Sequence, residues 1–144
     1  MKAVSFLILI LTSSLGVLAQ EIHNAEEAFR LSHETKKPVL LVFSGSDWCA
    51  PCILFDKKVL SQESFQTFAK NNLIVLKADF PQRKKIAEDI KKQNDALAEK
   101  YNPKGLFPHV MLILPGHSTP ATLSYTNETP DEFISEINAH LANE

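Results

Sequence analysis

Val39-Leu40-Leu41-Val42-Phe43-Ser44-Gly45-Ser46-Asp47-Trp48-Cys49-Ala50-Pro51-Cys52 is the stretch that decides the fold. Its first five residues form an unbroken apolar run with β-branched and aromatic members, and Pro38 stops any helix before them, which is the pattern of a strand buried on both faces. Ser44 to Asp47 reads as a loop. The stretch then reaches both cysteines of the chain, set three residues apart, a spacing that about one random arrangement in seventy would give. A buried strand running into Cys-x-x-Cys puts the first sulfur at a helix N-terminus, where unpaired amides and the macrodipole favour the thiolate. Cys49 is therefore the expected nucleophile. Cys52, one turn into the helix, is expected to be less exposed and to attack the mixed disulfide that Cys49 forms. Pro51 is tolerated because it falls in the first turn.

Working outward, Asn24 is positioned to cap a first helix, with Glu27 reaching back and Ala25, Ala28 and Phe29 on one face. Beyond the cysteines, Ile53 to Lys58 suits a helix, and Ser61, Glu63, Phe65 and Phe68 suggest a second one to about Asn71. Leu73 to Leu76 reads as another buried strand. From Arg83 to Lys100 the apolar residues Ile86, Ile90, Leu97 and Ala98 recur at helical intervals, predicting an amphipathic helix of roughly five turns. Val110 to Leu114 is a third apolar strand, Pro115-Gly116 a turn, and Ala121 to Thr126 an alternating edge strand. Thr129, Pro130 and Glu132 carry the signature of a capping box for a final helix with Phe133, Ile134, Ile137 and Leu141 as its apolar stripe. Strands alternating with helices predict an α/β layer architecture with at least one parallel pair joined through a helix.

The N-terminus reads as a removable leader over residues 1–19: Lys2 supplies a positive start, Val4 to Leu11 is mostly apolar, and Val17-Leu18-Ala19 is a small-residue cleavage pattern. Residues 20–144 are then one domain, exported to an oxidising periplasmic or extracellular compartment without stable membrane insertion. Apolar residues at 44% and charged ones at 22% fit a folded globular chain, and a net charge of −2 gives no electrostatic case for nucleic acid. Small partners or protein substrates remain.

These motifs together resemble the thioredoxin superfamily, over most of the span from Val39 to Leu141. Trp48-Cys49-Ala50-Pro51-Cys52 is similar to the family's Trp-Cys-Gly-Pro-Cys site with Ala50 in place of glycine. Lys77-Ala78-Asp79 resembles its lysine-bearing strand end, and Tyr101 to Pro108 the segment leading to its cis-proline. The resemblance implies a thioredoxin-like mixed sheet flanked by helices, with an extended helix before the cis-proline segment. It also implies that Pro108 is cis, that Phe107, Pro108 and Trp48 present a protein substrate, and that no cofactor is needed. Two departures follow. The family's buried aspartate, six residues before the first cysteine, falls on Phe43, leaving the proton acceptor of the resolving step to Asp47, to water, or to tuning by Lys77. The second is the long helix after Arg83, which resembles exported bacterial thioredoxin-like proteins.

The function expected is that of a protein thiol–disulfide oxidoreductase acting on protein disulfides or thiols. The Ala50-Pro51 pair is nearer the reducing type, so a reductase supplied by a membrane-bound donor is the expected direction. Two alternatives use the same residues. One is a Cu(I) carrier in which His109, next to Pro108, joins Cys49 and Cys52 as a third ligand; otherwise His109 modulates the thiols. The other is a substrate-holding module that needs neither sulfur. His23, His33, His117 and His140 show no ligand spacing and read as surface residues, and Arg83, Lys84 and Lys85 as a solvated face. Asn127-Glu128-Thr129 matches a glycosylation acceptor, but Thr129 is needed as a cap.

Overall fold

The computed structural model describes residues 20–143, so the expected leader over 1–19 lies outside the described residues. Five strands form one sheet in the order β1-β3-β2-β4-β5: β1 Glu21–Ile22, β2 Val39–Ser44, β3 Ile74–Asp79, β4 His109–Ile113 and β5 Ala121–Leu123. β1, β3 and β2 run parallel, whereas β4 and β5 are antiparallel to their neighbours. The sheet is mixed, as expected.

β2 is central and its pleat explains the unbroken apolar run. Leu40 and Val42 enter a core with Phe55, Phe65, Leu112, Phe133 and Ile137 on one face, while Val39, Leu41 and Phe43 enter a second core with Ala28, Leu76, Leu97 and Met111 on the other. The first face is covered by α2 Ala50–Phe55, α3 Glu63–Asn72 and α5 Pro130–Ala142; the second by α1 Ala25–Thr35 and α4 Glu88–Tyr101. Between α2 and α3 the chain makes a π-helical turn, Asp56–Leu60, with the Ser61 N–H donating to the Asp56 carbonyl at 2.8 Å. The helical backbone therefore continues from the cysteines to Leu60.

α5 carries both halves of its capping box, between Thr129 and Glu132, with Pro130 in the first turn. α1 begins as expected with the Asn24 side chain accepting the Glu27 N–H at 2.9 Å.

β3 runs on past the expected Leu76 to Asp79, and two further boundaries differ from the periodicity. The amphipathic helix starts at Glu88 rather than Arg83, because the Asp47 carboxylate takes the N–H groups of Gln82, Arg83 and Lys84 at 2.8–2.9 Å and holds that segment as an open loop. β5 ends at Leu123 instead of Thr126. Past it, the Ser124 N–H donates to Glu136, and the Thr126 N–H and hydroxyl both donate to Glu128, which removes them from the ladder. No helix among the described residues is long and apolar enough to cross a membrane.

Candidate functional site

Cys49 and Cys52 are joined by a disulfide where β2 leads into α2. Cys49 is the N-cap, with extended backbone, and its Sγ accepts the Cys52 N–H at 3.3 Å. That donor is the backbone group placed to stabilise a thiolate on Cys49 when the pair is reduced, since Pro51 has no N–H and the Ile53 N–H is taken by the Cys49 carbonyl. Both sulfur residues are buried, Cys52 at 2% exposure and Cys49 at 5%.

The loop before the cysteines is pinned to the end of β3 residue by residue. The Ser46 N–H and hydroxyl donate to the Asp79 carboxylate at 2.9 and 2.6 Å, and Trp48 donates its indole N–H to the Phe80 carbonyl at 2.7 Å. Asp47 is held below its ordinary carboxylate value chiefly by the Gln82 N–H, with the Lys84 and Arg83 amides outweighing what burial does in the opposite direction. Asp47 is thus a clamp on the 82–84 loop.

Gly45 is what lets Trp48 fold back. A Cβ there would lie 2.4 Å from Cε2, 2.5 Å from Nε1 and 2.7 Å from Cζ2 of the indole. Trp48 makes an edge contact with Phe107 at 5.4 Å between centroids, and Phe107 another with Phe80 at 5.5 Å. The Phe107–Pro108 peptide is cis. The segment before it is held by the buried Asn102, whose side chain accepts the Leu106 N–H and donates to the Leu106 carbonyl. Trp48, Ile53, Leu54 and Leu106 are the large apolar side chains that remain exposed among the described residues.

Counting six residues back from Cys49 reaches Phe43, but the pleat turns its ring to the far core, where it meets Phe80 at 6.4 Å and His109 at 5.9 Å. The next β2 residue, Ser44, lies on the other face, with Leu40 and Val42. Ser44 lines a cavity of about 250 Å³ together with Cys52, Ile53, Asp56, Lys77 and Asp79, with Glu21, His23 and Ser46 completing its wall. His109 pairs with Phe43 across β2 and β4, and among the described residues no three His, Cys, Asp or Glu side chains form a group able to hold a metal ion.

Lys77 reaches into the cavity from β3 and pairs with two carboxylates, Glu21 at 2.7 Å and Asp56 by a short hydrogen bond. Burial disfavours its ammonium, but the bonds to Asp56 and Glu21 outweigh that and raise its pKa above the ordinary lysine value. Asp56 and Glu21 were not legible as site residues. The available signal was spacing, since Asp56 stands four residues after Cys52 and so on the same side of the helix.

A family model described as thioredoxin-like matches residues 20–115. A disulfide bond reductase DsbH of Chlamydia pneumoniae is 36% identical over 87 residues, which are 60% of this chain and 52% of the relative. A thioredoxin-related protein DsbJ of the same organism is 30% identical over 104 residues, 72% of this chain and 30% of the relative. The chain thus spans about half the length of the first curated relative and less than a third of the second. A solved DsbH oxidoreductase superposes with a TM-score of 0.78 at 26% identity, covering 93% of this chain and 94% of the other. A thioredoxin from Thermus thermophilus superposes with a TM-score of 0.59 at 16% identity over 81% and 83% of the two chains, a likeness of fold alone.

Proposed function

Because this chain belongs to the thioredoxin-like family, we propose that it is a thiol–disulfide oxidoreductase acting on protein substrates, with Cys49 as nucleophile and Cys52 as resolving thiol. The observation that carries the reading is the Cys49–Cys52 disulfide at the start of α2. The Cys49 thiolate attacks a substrate disulfide; a Cys49–substrate S–S bond forms and one substrate thiolate leaves. Cys52 then attacks the Cys49 sulfur, closing the observed disulfide and releasing the second substrate thiolate, so two electrons pass from the dithiol to the substrate. The exposure of Trp48 and Leu106, the edge contact of Trp48 with Phe107 and the cis Phe107–Pro108 bond support a reading in which an extended peptide docks here.

Reduction is the direction supported by the Ala50-Pro51 pair and by a relative named as a disulfide bond reductase. Residues 1–19 act as an export leader and 20–144 as the domain, working in a periplasmic or extracellular space with a membrane-bound dithiol donor restoring the reduced state. Insulin reduction tests the reading. The wild type should accelerate precipitation of the insulin B chain, and Cys49→Ser and Cys52→Ser should each abolish turnover; activity retained without Cys49 would sink it. Equilibration with glutathione mixtures tests direction, since a potential as high as about −120 mV would mark an oxidant instead.

A further inference from the structure

With the acid absent from β2, the resolving thiol still needs somewhere to send its proton. Four carboxylates lie near the site, and their places in the fold separate them. Asp47 is committed to three backbone amides, and Asp79 to the Ser46 N–H and hydroxyl. Glu21 reaches in from β1 and pairs with Lys77 at 2.7 Å. Asp56 accepts from Lys77 and from the Ser61 hydroxyl, but it alone of the four shares the helix with Cys52, its N–H donating to the Cys52 carbonyl, and both side chains line the same cavity. The cavity, at about 250 Å³ and lined by polar groups, is large enough to hold the water that would link them.

Building on the oxidoreductase reading, we propose that Asp56 is the proton acceptor for Cys52, working through this cavity with Lys77 and Glu21 as its electrostatic partners. The Cys52 S–H proton passes to the Asp56 carboxylate; the Cys52 thiolate attacks Cys49, the Cys49–substrate bond breaks, and the substrate thiolate takes a proton from solvent. Lys77 contacts two carboxylates, so when Asp56 is neutralised the half-buried ammonium still has Glu21 as its counter-ion. The other titratable groups facing the cavity are His23 at its β1 end and Asp79 at the end of β3.

The test is the reaction of the reduced full chain with excess 5,5′-dithiobis(2-nitrobenzoate), which releases one thionitrobenzoate when Cys49 attacks and a second when Cys52 resolves. Asp56→Asn should leave the first phase unchanged and slow the second about tenfold or more near pH 6.5. The difference should shrink above about pH 9, where an ordinary thiol ionises unaided. Asp56→Glu should restore the second phase, which a merely structural role would not predict. A second phase in Asp56→Asn that matches wild type, or that is slowed equally at every pH, would overturn the proposal. A wild-type protein releasing only one equivalent would instead overturn the oxidoreductase reading and this proposal with it.

Discussion

Gly45→Ala is a one-methyl perturbation whose effect can be worked from the packing of Trp48. The added Cβ would sit within 2.4–2.7 Å of three indole atoms, too close for a small rotation to clear, so the ring must leave its seat. Leaving costs the bond to the Phe80 carbonyl, worth about 1 kcal/mol net, and the edge contact with Phe107, about 0.5–1.5 kcal/mol. Gly45 does not have a positive φ, so alanine is allowed there and returns about 0.4–1 kcal/mol by restricting the unfolded chain. The net loss is about 1 kcal/mol, which for a domain of this size lowers Tm by about 4 °C. Trp48 is the single tryptophan, so its emission reports this seat alone and should shift to the red as the ring enters water. Calorimetry and fluorescence on Gly45→Ala, repeated in a Trp48→Ala background where the clash is gone and the cost should vanish, give the pair's coupling. An unchanged emission maximum with an unchanged Tm, or an equal cost in both backgrounds, would refute the reasoning.

Asp47→Ala should release the 82–84 loop, read as faster amide exchange at Gln82, Arg83 and Lys84 with exchange in β2 unaltered. Because the folded pKa of Asp47 is depressed, its contribution to stability is complete above the ordinary value of 3.8 and is lost as pH falls through the folded value; the variant should show a shallower acid limb. Thr129→Ala removes the α5 cap and should cost about 1 kcal/mol in urea denaturation with m unchanged. Lys77 has a raised folded pKa, so its contribution is complete below 10.5 and is lost as pH rises through the folded value. Lys77→Met in the oxidised protein should flatten the alkaline limb of the stability curve.

Much of the frame was written locally. The β2 run, the apolar strands near Leu73 and Val110, and the capping box at Thr129 each carry their own signal, and each starts within a residue of its expected place, although β3 extends three residues further than its apolar run. What could not be read depends on partners distant in sequence. β1 is two residues long, too short to show a period, and exists because β3 offers it an edge. The start of α4 is set by Asp47, more than thirty residues earlier. At the site, the cysteines were legible from spacing alone, but Asp56 looks like any charge on an exposed helix until the sheet brings Lys77 opposite it.

The pleat of β2 makes one last expectation sharp, because residue counting and geometry disagree about where an acid would belong. Phe43 is fully buried among aromatic rings on the α1/α4 side, so Phe43→Asp removes a large core side chain, about 3–5 kcal/mol, and leaves a carboxyl with apolar neighbours, which must stay neutral or unfold the site. Ser44 is only half-buried, faces the cavity shared by Cys52 and Lys77, and its backbone bond to the Phe80 N–H does not involve its side chain. Ser44→Asp should therefore fold with a Tm within a few degrees of wild type and, placed in the Asp56→Asn background, recover most of the slow second phase near pH 6.5. Phe43→Asp in that background should lose Tm and recover nothing. Recovery by Asp at 43 and not at 44 would mean that the face assigned to each residue is wrong, and with it the route from Cys52 through the cavity.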